Sequence, residues 1–172
     1  MKSWYAIYVR PRAEKKVAAE LEKAGVDHYL PLHTTLRRWS DRKKWIDLPL
    51  IPGYCFVHVA ESNILDVLKV KHVFSVVRFN GKPAIVRDDH IEFLKRLLNQ
   101  NEIEFKLASS MPEPGQEVEI IAGPFIGLKA EMVRINKKST IILRLEQICN
   151  AFLLEIPVSD VVMVTATQEK SA

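Results

Sequence analysis

The chain has 172 residues, 48% hydrophobic and 27% charged, a globular balance that allows a buried core. No apolar run approaches the roughly 18–20 residues that cross a bilayer, and the opening MKSWYAIYVRPR reaches Arg10 too early for a signal peptide, so a cytoplasmic protein away from membranes is expected. The net charge of +4 is uneven: residues 1–107 hold 19 Lys/Arg against 13 Asp/Glu, whereas residues 108–172 hold 6 against 8, so a polyanion should be met by the first part.

In chain order, Ser3–Val9 is aromatic and β-branched and predicts a strand. Pro11 suits the first turn of a helix carried by Val17, Leu21 and Ala24 and closed by Gly25. Val26–Leu32 and Ile51–Val59 predict two further strands, and the charged segment between them reads as a long hairpin whose tip is RRWSDRKK, projecting into solvent. A short helix is expected over Ser62–Lys69, then a strand over Val73–Phe79, turned by Asn80-Gly81 into Pro83–Val86. Asp88 and Asp89 are placed to cap a helix whose apolar side is Ile91, Phe93, Leu94, Leu97 and Leu98.

The segment from Asn99 to Gln116 has Pro and Ser and no sustained period, as a linker has, with the boundary over residues 105–113. Beyond it the period becomes two, with turn formers at Gly123-Pro124, Gly127, 136–139 and Pro157. Five short strands in about 50 residues predict a small barrel. The fold class is therefore α+β: an antiparallel sheet flanked by helices over residues 1–104, the linker, a five-stranded β-barrel over 114–165, and a flexible tail over 166–172.

The residues argue for no enzyme and no cofactor. The five histidines are scattered, and His90-Ile-Glu92 lacks the Pro-Cys-x-x-Cys that a zinc deaminase site requires. Gly-rich phosphate loops and nucleophile turns are absent. Asp88-Asp89 resembles a paired-carboxylate site only superficially, because capping accounts for both. Cys55 and Cys149 lie in apolar segments and suit buried reduced thiols rather than a disulfide.

Two features remain. The first is the basic segment Arg37, Arg38, Trp39, Arg42, Lys43 and Lys44. Taken as charge alone it is a solvated loop, but cations pair with phosphates and an exposed indole stacks on an unpaired base. Trp39 is the stronger stacking candidate, Trp45 being placed to pack into the sheet. Arg10, Arg12, Lys15 and Lys16 add cations at the first strand-helix junction. The second feature is the apolar run Leu50–Val57. If Cys55 and Val57 enter the core, alternation turns Tyr54 and Phe56 to the other face, which a helix or a partner must cover.

At this point the chain resembles a known family. Trp4-Tyr5, Leu30-Pro31, Pro52-Gly53-Tyr54, Val77-Arg78-Phe79 before Asn80-Gly81, and the later stretch Pro114 to Ala130, which resembles a KOW motif, match NusG-type transcription factors in domain order over residues 3–164. The flavour is closest to the specialised RfaH-like antiterminators and the UpxY-like antiterminators of polysaccharide operons. The resemblance implies an NGN-like domain followed by an SH3-like, KOW-containing barrel. It implies an elongation regulator, with the clamp helices of the largest RNA polymerase subunit bound through Tyr8, Ile51, Pro52, Tyr54, Phe56 and Phe79. It also implies upstream and non-template DNA near the Arg37–Lys44 tip and, through Arg10, Arg12 and Lys16, at the junction. Suppressed pausing and termination would follow, with a ribosomal protein or a termination factor as partner of the C-terminal half and the chain itself a monomer.

The chain departs from that pattern at Glu61–Lys69, where the Thr-rich contact to the second large polymerase subunit is not evident, and at Ile51, where an aromatic is common. RfaH holds its C-terminal domain as a helical hairpin; the Gly and Pro turns here favour a permanent β structure. The alternatives are a ribosome-associated or RNA-binding KOW protein and an enzyme with an unrecognised site.

Overall fold

A computed structural model describes residues 1–38, 43–99, 105–108, 115–135, 138–145 and 150–164. The chain divides into two compact units, Met1–Leu98 and Asn99–Ala172. No described helix is long and apolar enough to cross a membrane.

The first unit runs β1 (Lys2–Val9), α1 (Glu14–Lys23), β2 (His28–Tyr29), β3 (Leu32–Arg38), β4 (Lys43–Pro49), β5 (Tyr54–Ala60), α2 (Ile64–Leu68), β6 (Val73–Val76), β7 (Arg78–Phe79), β8 (Lys82–Pro83), β9 (Ile85–Val86) and α3 (Asp88–Leu98). Its main sheet has the order β2-β5-β1-β6, with β9 also paired to β1, and every pairing is antiparallel. Strand alternation sorts the side chains of this sheet onto two faces. Tyr5, Ile7, Val9, Cys55, Val57, Val59 and Val76 enter a core closed by Val17 and Leu21 of α1 and by Ile64 and Val67 of α2. The other face carries Trp4, Ala6, Tyr8, Tyr54, Phe56 and His58. Over its Trp4–Tyr29 end lies α3, whose Ile91, Phe93, Leu94 and Leu97 are buried and whose Lys95 ammonium sits 5.9 Å from the Trp4 ring and 5.7 Å from the Tyr29 ring.

The long hairpin is broken in two. Its apolar ends join the main sheet, where His28 and Tyr29 pair with Val57 and Phe56, while β3 and β4 leave it as a separate two-stranded ribbon. Pro31 marks the break, its carbonyl accepting the Leu50 N–H at 2.8 Å. The Asn80-Gly81 turn has φ of 50° and 80°, the left-handed pair that a tight hairpin requires, and it joins β7 to β8.

The second unit runs β10 (Phe105–Leu107), β11 (Gln116–Ile120), β12 (Lys129–Ile135), β13 (Lys138–Leu145), β14 (Asn150–Leu154) and β15 (Val161–Met163). They form one antiparallel sheet in the order β10-β14-β13-β12-β11-β15. Among the described pairings β10 and β15 stand at opposite ends, so the sheet is open and the closed five-stranded barrel is not found. The sixth strand comes from Phe105–Leu107, which the sequence reading gave to the linker; a three-residue alternation beside Ser and Pro is too short to register as a strand. The unit packs around Val118, Ile120, Phe125, Ile141, Ile142, Phe152 and Leu154. Glu131 ties three segments together. Its carboxylate receives the Arg144 guanidinium at 2.8 and 3.0 Å and the Gly115 N–H at 2.9 Å. The Arg144 bonds hold its pKa below the usual 4.5 despite the opposing effect of burial. The remaining linker residues 109–113, Cys149 and the tail lie outside the described residues.

Candidate functional site

The uncovered end of the α3 face is the first candidate. Pro52 and Gly53 occupy the centre of a turn closed by Tyr54 N–H on the Ile51 carbonyl at 3.3 Å, and Gly53 takes φ of 83°, which proline followed by glycine supplies. Two long-range bonds clamp this turn. Gly53 C=O accepts the Val9 N–H at 2.8 Å, and Gly53 N–H donates to the Glu14 carboxylate at 2.9 Å. Glu14 is buried at the start of α1, so a helix fixes a turn 39 residues away. A Cβ on Gly53 would stand 3.1 Å from the Tyr8 ring, so glycine also makes room for that ring.

What the turn presents is aromatic. The Tyr8 and Tyr54 rings meet edge-on at 5.6 Å, and the Phe74 ring lies 5.9 Å from Tyr8. Tyr8 is 39% exposed and Phe74 60%, and Pro52 and Tyr54 also reach the surface. Three rings standing open beside a helix-covered core leave apolar area in water that a partner surface would remove.

The structure redraws the apolar set expected from the sequence. Ile51 and Phe56 are buried and lie beneath the surface, Phe56 on the same face as Tyr29, its cross-strand neighbour, over which Lys95 of α3 reaches. Phe79, 72% exposed, belongs to the separate β7-β8 hairpin. Phe74 was missed. The register shifts between Tyr8 and Val9, so β6 places an extra residue against β1, and Phe74 swings to the Tyr8 side although Val76 two residues on enters the core. Strict alternation therefore gives the wrong face for Phe74, and an aromatic next to Ser75 was the one available hint.

The second candidate is the β3-β4 ribbon. Its register sets Arg37 opposite Lys44 and Arg38 opposite Lys43, all four exposed. Trp39 and Arg42 lie outside the described residues. Trp45, expected to pack into the sheet, is 66% exposed because the ribbon stands apart from it. At the strand-helix junction Arg10, Arg12, Lys15 and Lys16 are exposed, and Arg12 takes φ of 67°, a left-handed conformation uncommon outside glycine. The junction is held to the β6 side by Arg10 N–H on the His72 carbonyl at 2.9 Å.

Asp88 and Asp89 sit in the first turn of α3, where they complement the helix dipole, and Asp89 pairs with Arg87. Among the described residues no three His, Cys, Asp or Glu side chains gather to hold a metal ion. Cys55 is a buried free thiol pushed up to about 12 by burial.

The family model described as transcription termination factor nusG matches residues 2–95, the unit that carries both candidate surfaces. The transcription elongation factor Spt5 of Pyrococcus furiosus is 34% identical over 89 residues, covering 51% of this chain and 50% of that protein, so the chain spans about half the length of this relative. The Spt5 of Acidianus ambivalens is 22% identical over 170 residues, 97% of each chain. Among solved structures, one titled domain interaction in Thermotoga maritima NusG covers 96% of this chain and 98% of its own, at 23% identity with a TM-score of 0.53, a likeness of fold. With the model spanning more than half of its length, the chain belongs to the NusG family of transcription factors.

Proposed function

We propose that the chain is a transcription elongation regulator that binds RNA polymerase and nearby DNA at once, without covalent chemistry. Residues 1–104 act as the polymerase-binding domain. The clamp helices of the largest subunit pack on Tyr8, Pro52, Tyr54 and Phe74, with Ile51 and Phe56 as the rigid floor and Phe79 as a flanking contact. Upstream and non-template DNA meets Arg37, Arg38, Lys43 and Lys44, with Trp39 and Arg42 at the tip, and Arg10, Arg12 and Lys16 at the junction. Bridging the two keeps the polymerase closed and suppresses pausing and termination, selectively on particular operons. The slightly acidic second unit, residues 114–165, acts as a KOW module for a protein partner, a ribosomal protein or a termination factor.

The observation that carries this reading is the ring cluster of Tyr8, Tyr54 and Phe74, exposed at the end of a sheet that a helix covers elsewhere. The test is single-round transcription with purified polymerase over several leader sequences. Shortened pauses and terminator readthrough on one leader are expected. Equal effects on all leaders would make the factor general, and no effect together with no polymerase binding would refute the proposal in favour of an RNA-binding or ribosomal role.

A further inference from the structure

The three rings of the aromatic cluster share one frame. Tyr8 is followed by Val9, whose N–H donates to the Gly53 carbonyl at 2.8 Å, and Tyr54 follows Gly53 directly. Phe74 comes two residues after His72, whose carbonyl accepts the Arg10 N–H at 2.9 Å. The return bond from the Gly53 N–H to the Glu14 carboxylate closes the set at 2.9 Å. Each ring therefore stands within two residues of a bond to the segment Val9–Glu14, which joins β1 to α1. The same segment carries Arg10 and Arg12, both exposed, with Lys15 and Lys16 just beyond it.

This connection is compact and strained. The Ala13 N–H donates to the Arg10 carbonyl at 3.0 Å and so closes a turn around Pro11 and Arg12. Arg12 holds φ of 67° within that turn, and His72, at the far end of the Arg10 bond, holds φ of 72°. A left-handed backbone is costly for a residue with a Cβ, and it persists only where the surrounding bonds over-determine it. Here those bonds are the ones that frame the rings.

We infer that Val9–Glu14 couples the two surfaces, with Glu14 as the positioning residue. The segment has two arrangements. In the observed one the turn is closed and Gly53 is clamped by Val9 and Glu14. In the other Arg12 relaxes to negative φ, which re-aims the chain entering α1, and Glu14, two residues on, leaves Gly53. A polyanion shared by Arg10 and Arg12 offsets their mutual repulsion and favours the closed turn that gathers them, and the closed turn sets Tyr8, Tyr54 and Phe74 for polymerase. The inference rests on the proposed reading of the rings as a polymerase contact and of the junction as a DNA contact. It adds that each ligand raises the affinity for the other, by the same factor.

The test uses the full chain, a short DNA duplex at low salt as the polyanion, and amide exchange read residue by residue by NMR, with DNA binding followed in parallel by fluorescence anisotropy. Val9 and Gly53 are buried, so DNA does not shield their amides directly. Saturating DNA should slow their exchange at least about 5-fold more than that of amides at the far Lys2–Ala60 end of the β1-β5 pair, the lower end of a typical coupling between sites. Glu14→Gln should still bind DNA but lose this extra slowing, and it should bind purified polymerase about 5-fold more weakly although no ring is altered. A merely structural Glu14 would speed exchange in the free protein and leave the DNA-induced slowing intact. DNA bound with Val9 and Gly53 slowed no more than the reference amides, the same extra slowing in Glu14→Gln, or polymerase bound equally by Glu14→Gln overturns the inference alone. A wild type that binds no DNA, or no polymerase, overturns the underlying reading together with the inference.

Discussion

Replacing Glu14 by Ala removes a carboxylate that is 4% exposed and accepts the Gly53 N–H at 2.9 Å. The amide it serves belongs to a buried residue at the centre of the turn. A buried donor left without its acceptor costs about 1–3 kcal/mol, and bonds to charged groups fall at the upper end, so a loss of about 2–3 kcal/mol is expected for the first unit. Glu14→Gln retains a carbonyl oxygen at the same reach but gives up the charge, and should lose about 1 kcal/mol. Because the chain divides into two compact units, a single denaturant midpoint does not isolate the first, and amide exchange is the better assay. In Glu14→Ala the amides of Gly53 and Val9, the two that clamp the turn, should exchange faster, while those of the second unit stay unchanged. Exchange at Gly53 equal to wild type would refute the claim that Glu14 secures the turn.

Other expectations follow from single residues. Arg12 holds φ of 67°, a conformation costing an L-residue roughly 1–2 kcal/mol, so Arg12→Gly should raise the thermal stability of the first unit by up to about 1 kcal/mol while weakening nucleic-acid binding; a lower melting temperature would contradict this. Glu131 has its folded pKa held below 4.5, so its contribution is present at neutral pH and is lost as the pH falls through the depressed folded value. Melting of the second unit should drop below about pH 4.5 more steeply in wild type than in Glu131→Gln. Cys55, its thiol pushed up to about 12, should resist alkylation at pH 8 in the folded protein and react once the first unit is unfolded, as mass spectrometry would show.

Local chemistry was legible in the residues wherever one conformation was strongly preferred. Asn80-Gly81 announced its hairpin and the apolar side of 91–98 its helix, because each depends on neighbours a few residues away, whereas the strand expected over Ile51–Val59 begins only at Tyr54 because Pro52-Gly53 forms a turn. Tyr54 and Phe56 both leave the core face as alternation requires, and they fare differently there, Phe56 being buried and Tyr54 half-buried beside the Tyr8 ring. Which of the two is buried was hidden, since it depends on where α3 crosses a sheet assembled from strands some 80 residues apart in sequence. Trp45 was misplaced because nothing local says that the ribbon parts from the sheet at Pro31 and Leu50. Phe74 was lost to a bulge that depends on pairing with β1. The strand at Phe105–Leu107 was hidden because it forms only against β14.

The measurement that tests the central claim most directly is equilibrium binding of the full chain to purified RNA polymerase, comparing wild type with Tyr8→Ala, Tyr54→Ala and Phe74→Ala. Folding of each variant is checked by amide exchange in the β1-β5 pair. The account predicts that each substitution weakens binding at least about tenfold, as expected where a central aromatic is truncated, and that Phe74→Ala does so despite its absence from the sequence-derived set. Unchanged affinity in all three folded variants would contradict it and move the polymerase interface off this face.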